Sequence, residues 1–264
     1  MMRRSPYSPY MAIGVFAGAA LLGVNGCRST VELPGASSEN AAAAVDKGRP
    51  QVDLQIDLGL EYLRSGDRRL AFKHVEAAIR RAPSYAPAHM AMAVLRESLD
   101  DREAARAHYR QAVRLRPMDA GIRNNFGNFL CREQRYTAAD RQFRAGLQDK
   151  LYAMPELLLS NAGLCALRKQ DLGQAELYFR QALRHNAQFA PALYQMASIA
   201  FRVGRYASSE RYLQRFFQQG ERTLNGLWLG VRVYRQLKRP AKARELAEAL
   251  RASFPDAPQI EFLN

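Results

Sequence analysis

The side chains that could perform chemistry are few and widely spaced. The four histidines are scattered along the chain, at His74, His89, His108 and His185. They lack the spacing and the neighbouring Cys or carboxylate residues of a metal site. Asp53, Asp57 and Glu61 recur every four residues, which could suggest a cation site. Carboxylates on successive helical turns do not converge as those of a calcium loop do, so a solvated helix face is the favoured interpretation. No phosphate-binding glycine loop or serine nucleophile elbow occurs. We therefore predict no catalytic residue, no metal and no cofactor, and the protein is not expected to be an enzyme.

The N-terminal segment indicates export. Arg3 and Arg4 precede an uncharged run from Met11 to Val24. This run is too short and too rich in Gly and Ala for a membrane span, which needs about 20 apolar residues. A basic start, a short apolar core and small residues before a break are typical of a secretory signal. The break, Val24-Asn25-Gly26-Cys27, resembles the bacterial lipobox, although Asn25 stands where Ala or Ser is usual. An uncleaved anchor with an incidental Cys is the alternative.

Lipidation of Cys27 would fix the location of the mature chain. We expect a lipoprotein signal peptide over residues 1–26 and acyl chains on Cys27, each buried methylene contributing about 0.8 kcal/mol to membrane binding. Arg28 follows the Cys, where Asp would favour retention in the inner membrane in the lipoproteins that this segment resembles. The resemblance therefore implies attachment to the periplasmic face of the outer membrane. Residues 27–51, rich in Ser, Ala, Gly and Pro, then read as a flexible tether.

The chain carries a large excess of positive charge. Its 39 Lys and Arg against 25 Asp and Glu give a formal net charge of +14. Such an excess suits nucleic acid, an anionic membrane surface or an acidic protein partner. Export argues against nucleic acid and leaves anionic lipid, cell-wall polymer, an acidic protein face or simple solubility.

A 34-residue period dominates the remainder of the chain. Gly127, Ala139 and Phe143 are repeated by Gly163, Ala175 and Phe179. Short side chains let two helices approach closely, and an aromatic ring fills the space beside them. Proline at the end of several units stops the second helix. The pattern resembles the tetratricopeptide repeat and predicts an all-α fold, an α-solenoid of about six helical hairpins. The units are 52–85, 86–119, 120–155 (with a two-residue insertion), 156–189, 190–223 and 224–257, followed by a short tail, 258–264.

The repeat grid places Cys131 and Cys165 on the first helices of adjacent units. First helices of neighbouring repeats pack side by side, so the two thiols can face each other. An oxidising periplasm would let a disulfide persist. Two buried free thiols are the alternative.

Tetratricopeptide arrays bind partners through the first helices, chiefly at the second, fifth, ninth and twelfth positions of each unit. In the first two units these positions include apolar residues, which predict a groove for a helix or an extended segment of a partner. The alternative is that the tether or the C-terminal tail covers them. Asn124 and Asn128 fall on the same face of the third unit, where amides could clamp a peptide backbone. The predicted groove is thus Ile56, Leu60, Leu63, Met90, Val94, Asn124 and Asn128.

Several motifs together resemble one bacterial family. Residues Asn124 to Cys131 read Asn-Asn-Phe-Gly-Asn-Phe-Leu-Cys, Asn161 to Cys165 read Asn-Ala-Gly-Leu-Cys, and Leu227 to Gly230 read Leu-Trp-Leu-Gly. With the lipobox and the six repeats, they resemble the type IV pilus biogenesis and stability lipoproteins of the PilW/PilF type. The resemblance implies a pilotin, which rides to the outer membrane on its lipid, binds the secretin subunit of the pilus machinery and promotes its multimerisation. It leaves room for other pilus proteins as partners.

Two further interpretations remain at the sequence level. One is a tetratricopeptide adaptor lipoprotein that scaffolds cell-wall enzymes or other envelope assembly. The other is an enzyme subunit with unrecognised catalysis, which nothing in the residues favours.

Overall fold

Helices joined by short connections make up residues 38–263, which are the residues that this computed structural model describes; side chains are described from residue 50. Within this range there are twelve α-helices, no strand, and a final 3-10 helix, Pro258–Phe262. The predicted all-α fold is confirmed. The predicted signal peptide, Cys27 and the first part of the predicted tether lie outside the described residues. The α-helices are α1 (Ser38–Ser65), α2 (Arg68–Arg81), α3 (Ala86–Ser98), α4 (Arg102–Leu115), α5 (Ala120–Arg132), α6 (Tyr136–Gly146), α7 (Pro155–Arg168), α8 (Leu172–His185), α9 (Ala190–Arg202), α10 (Tyr206–Gln218), α11 (Leu224–Gln236) and α12 (Pro240–Ser253).

Consecutive helices pair into six hairpins. The first helices α3, α5, α9 and α11 begin at residues 86, 120, 190 and 224, where the 34-residue grid starts new units. The two-residue insertion falls in the connection between α6 and α7, residues 147–154. α1 begins at Ser38 and contains Pro50, so this helix extends into the segment predicted as tether. A membrane span would require a longer and more apolar helix than any found in residues 38–263.

Each hairpin turns through one residue in the left-handed conformation. The turn residue recurs at Gly66, Asp100, Gln134, Gln170, Gly204 and Lys238, with φ between 54° and 91°. This backbone region is open to Gly but costs a side-chain-bearing residue about 1–2 kcal/mol. Four of the six turns are therefore made by residues that adopt the conformation at a cost. In three hairpins the residue that directly follows the turn residue is an Asp that caps the second helix. Its side chain accepts a hydrogen bond from the third backbone N–H of that helix: Asp67 from Leu70, Asp101 from Ala104 and Asp171 from Gln174.

The glycines of the first helices allow the two helices of a hairpin to touch. A Cβ atom added at Gly127 would lie 2.6 Å from a ring carbon of Phe143, and one at Gly163 would lie 2.8 Å from Phe179. Both rings are fully buried. The aromatic residue of the second helix thus occupies the volume that a larger residue of the first helix would need.

The core follows the repeats along the chain. Its largest cluster runs from Ala93 on α3 to Ile199 on α9, and smaller clusters hold the first and last hairpins. Because each repeat buries its apolar face against its neighbours, the last hairpin would end on an open face. There the tail folds back and inserts Leu263 among the residues of α11 and α12.

Candidate partner-binding face

The first helices α1, α3, α5, α7, α9 and α11 recur at equivalent register. The second, fifth, ninth and twelfth positions of each unit are spaced by three or four residues, so they share one side of the helix. A side-chain contact links two neighbouring first helices beside this row. Arg132, one residue after the twelfth position on α5, donates through Nε to Glu97 Oε1 on α3 at 2.6 Å and also forms an ion pair with it. This contact joins the C-terminal ends of α3 and α5.

In the first repeat, the predicted groove residues Ile56 and Leu60 are core residues. They are 6% and 9% exposed and belong to the same cluster as Val75 of α2 and Leu95 of α3. The prediction that they face a partner is wrong at these two positions. They lie four residues apart on the same side of α1, so both turn into the interface that α1 makes with its neighbours.

Leu63, Met90 and Val94 are partly buried. Leu63 packs against the first cluster, and Met90 and Val94 pack against the central one. Each side chain keeps part of its surface accessible. The Asn125 amide on α5 donates to Gly121 O at 3.0 Å and lies 3.6 Å from Met90 Sδ, which positions the thioether between α3 and α5.

The two asparagines of α5 have different environments. Asn124 is buried, and its Oδ1 accepts a hydrogen bond of 2.9 Å from Asn161 Nδ2 on α7. The prediction that Asn124 clamps a partner's backbone is therefore wrong, because its acceptor is used to join two repeats. Asn128, one turn later, is only partly buried and makes no side-chain hydrogen bond within the described part of the chain. Its amide can offer a donor and an acceptor to a peptide.

Accessible residues at the same register in later repeats were missed by sequence reasoning. Leu164, at the ninth position of the fourth unit, is 38% exposed. Phe201, at the twelfth position of the fifth unit, is partly buried under Arg232, whose Cζ lies 4.4 Å from the ring centroid. Applying the positional rule beyond the second unit would have identified both. We call the surface formed by the accessible residues Leu63, Met90, Val94, Asn128, Leu164 and Phe201 the first-helix face.

The C-terminal tail limits this face at its last repeat. The Phe262 ring packs on Trp228 of α11 with centroids 6.5 Å apart. Arg235 donates to the backbone carbonyls of Phe262 and Leu263 at 2.9 and 2.7 Å. Trp228 and Arg235 occupy the fifth and twelfth positions, so the tail covers α11. The alternative that it covers the predicted residues of the first repeats does not fit, since Ile56 and Leu60 are buried by their own neighbours.

Cys131 and Cys165 lie in the middle of the row. Their Cα atoms are 5.7 Å apart and their sulfur atoms are at bonding distance. Disulfides require Cα atoms within about 7 Å. The geometry brings α5 and α7 together beside Asn128.

The three carboxylates of α1 considered as a cation site have separate environments. Asp53 accepts a hydrogen bond of 2.7 Å from the Tyr85 hydroxyl, Glu61 pairs with Arg64 at 2.9 Å, and Asp57 is exposed. Among the residues that the structure describes, no group of three or more His, Cys, Asp or Glu could hold a metal ion. Near the far end of the face, burial raises the pKa of Tyr194, with the Arg232 charge opposing the shift.

Comparison with known proteins finds similarity to tetratricopeptide repeats and to two proteins of type IV pilus assembly. The tetratricopeptide repeat family matches residues 56–120 and 194–258. The chain is 30% identical over 213 residues to the "type IV pilus assembly protein PilF" of Pseudomonas aeruginosa, covering 80% of this chain and 82% of that protein. The crystal structure of PilW, described as a widely conserved type IV pilus biogenesis factor, superposes with a TM-score of 0.70 at 28% identity, covering 80% of this chain and 97% of PilW. The Pseudomonas aeruginosa PilF structure gives a TM-score of 0.71 at 28% identity, covering 81% and 96%.

Proposed function

Because the chain belongs to the family of tetratricopeptide proteins of type IV pilus biogenesis that includes PilF and PilW, we propose that it is an outer-membrane lipoprotein that binds the secretin subunit and promotes its multimerisation. The observation that carries this proposal is the likeness to both proteins over four-fifths of the chain and nearly the whole of each solved structure.

In this proposal the first-helix face is the surface that binds the secretin subunit. Met90 and Val94 on α3 and Leu164 on α7 offer accessible apolar surface on either side of α5. Asn128 lies among them with a side-chain amide that has no partner in the described residues. Apolar side chains can pack against an extended or helical segment of the secretin subunit, and the Asn128 amide can hydrogen-bond to its backbone.

A disulfide between the two cysteines would make this binding surface rigid. In the oxidising periplasm, Cys131 and Cys165 are proposed to form a disulfide that clasps α5 to α7. A face whose helices are fixed before binding loses less conformational entropy when the partner docks.

In this proposal the lipid on Cys27 targets the protein to the outer membrane. We expect Cys27→Ser to give a folded array that no longer sediments with the outer membrane. If this variant still sediments there and still assembles secretin, lipid sorting is not the mechanism.

The proposal is tested by the fate of the secretin in cells that lack the protein, followed by unheated gel electrophoresis and membrane fractionation. We expect the multimer to be lost, or monomers to collect in the inner membrane. A normal multimer in the outer membrane, accompanied by altered cell-wall turnover, would contradict the pilotin role and point to an adaptor for cell-wall enzymes.

A further inference from the structure

A cleft lies between the second and third repeats, away from the first-helix face. It has a volume of about 500 Å³ and is lined by α4, α5 and α6. Its floor is apolar and includes the buried rings and chains of Phe126 and Leu130, with Val113 and Ala138 beside them. Phe126 and Leu130 are each two residues from Asn128, and residues two apart on a helix point in nearly opposite directions. The cleft and the first-helix face therefore use opposite sides of α5.

The rim of the cleft is made of arginines. Five line it, together with one glutamine and no Asp or Glu: Arg110, Arg114, Arg123, Arg135 and Arg141. Within the described residues, none of the five pairs with a carboxylate. Arginines just outside the cleft are paired, as Arg106 is with Glu133 at 2.9 Å and Arg144 with Asp140 at 2.8 Å. Positive charge is thus left uncompensated around the cleft.

Arg123 is the most enclosed of the five. Its guanidinium donates to Pro117 O at 2.6 Å and to Gln142 Oε1 at 2.7 Å, which fixes its orientation at the cleft wall. Burial lowers the pKa of Arg123 from its ordinary value, since no carboxylate offsets the loss of solvent. A negatively charged ligand would relieve that cost.

We propose that this cleft binds an acidic segment of a partner protein, in which carboxylates engage the arginine rim and one aromatic or large apolar side chain rests on Phe126 and Leu130. Guanidinium groups match carboxylates in planar, two-bond geometry. A volume near 500 Å³ is in the usual range of pockets that enclose a small ligand or a side-chain cluster.

The recessed floor favours a peptide over a membrane surface. A flat array of lipid headgroups would meet the arginine rim but would not reach the apolar residues beneath it. Moreover, none of the exposed large apolar side chains of the described residues lines the cleft, so it has nothing to insert into a bilayer. A peptide with an apolar side chain between carboxylates can contact both the arginine rim and the apolar floor. The inference does not depend on secretin binding, because it concerns a different surface.

The test measures binding of a labelled peptide, Glu-Asp-Glu-Phe-Glu-Asp-Glu, to the full chain carrying Cys27→Ser, which prevents lipidation. We expect saturable binding that weakens as salt rises. Replacing Arg110, Arg114 and Arg141 together by Gln should weaken it about tenfold or more, because charge-assisted hydrogen bonds are lost. The matched control replaces three exposed helix arginines away from the cleft by Gln, at Arg69, Arg81 and Arg184. It removes the same charge and should change binding less than about twofold if only long-range, screened attraction is affected.

A second variant separates the floor from the rim. Ala138→Leu fills part of the cleft and keeps every charge, so it should weaken the Phe peptide more than its Phe-to-Ala counterpart. Equal losses in the two triple variants would reduce the effect to net charge and overturn the proposal. Binding to phosphatidylglycerol vesicles without binding to the peptide would also overturn it, in favour of a lipid surface.

Discussion

His89 and His108 form an unusual contact at the residue scale. Their Nδ1 atoms are 3.1 Å apart and their rings stack with centroids at 5.3 Å. His89 Nε2 also lies 2.8 Å from Pro83 O, which can only accept. His89 therefore carries its proton on Nε2, and His108 donates from Nδ1 to His89 Nδ1.

This arrangement predicts loss of stability in mild acid. Burial lowers the pKa of His108, and the charge of Arg96 and that of a protonated His89 lower it further, while Asp101 opposes them. The unfolded chain then binds more protons below pH 6.5, so stability is complete above that pH and falls as pH decreases through it. Urea unfolding at pH 7.5 and 5.5 should show a smaller pH effect for His108→Gln than for the native chain. His185→Gln, an exposed control, should retain the native pH effect; if His108→Gln retains it as well, the pair is not its source.

Residue roles on the first helices were only partly readable from the sequence. The positional rule identified Met90, Val94 and Asn128 as accessible. It failed at Ile56, Leu60 and Asn124 because the helix side that faces a partner is adjacent to the side that packs on the next repeat. Which of two neighbouring positions is buried depends on the tilt between helices, and a single sequence does not specify that tilt.

At the scale of elements, the hairpin turns offer a direct test of backbone strain. Gln170 is exposed and has φ of 67°. We expect Gln170→Gly to raise the free energy of unfolding by about 0.5–1 kcal/mol, because relief of about 1–2 kcal/mol of left-handed strain exceeds the added entropy of the unfolded chain. Gly204→Ala, at the equivalent turn with φ of 75°, should lower stability. Denaturant melts of both variants measure the two signs, and a stabilising Gly204→Ala would contradict the strain argument.

The cysteine pair makes a second prediction about elements. A bond between Cys131 and Cys165 closes a loop of 34 residues. Removing it should cost about 3–4 kcal/mol if the entropy of the unfolded chain dominates. Chemical unfolding of the double Cys→Ala variant, compared with the native chain in oxidising and reducing buffer, measures the difference. Equal stability of the native chain in the two buffers would mean that the thiols are free.

The elements themselves were largely predictable. Gly127 with Phe143 and Gly163 with Phe179 are informative because tight helix contact restricts those positions to a small residue and a ring. The N-terminal extent of α1 was not predictable, since residues 38–51 show no apolar periodicity. Nor could the tail be placed, because Trp228 and Phe262 are far apart in the chain and meet only after the last hairpin has folded.

The whole molecule presents two surfaces of different chemistry on opposite sides of α5. The first-helix face is apolar with one available amide at Asn128, whereas the cleft between the second and third repeats is lined by five arginines. Such an array could hold an apolar segment on one side and an acidic one on the other. The net charge of +14 is therefore locally concentrated as well as distributed for solubility.

The central claim is that the first-helix face binds the secretin subunit, and it is tested most directly by the affinity of the purified chain for the purified subunit. Leu164 on α7 and Leu177 on α8 belong to the same repeat and are 38% and 44% exposed, but only Leu164 lies on the proposed face. Leu164→Glu should weaken binding about tenfold or more, since a charge would enter an apolar contact. Leu177→Glu should bind as the native chain does, with both variants retaining full helicity. Native affinity in Leu164→Glu, or an equal loss in Leu177→Glu, would contradict the account.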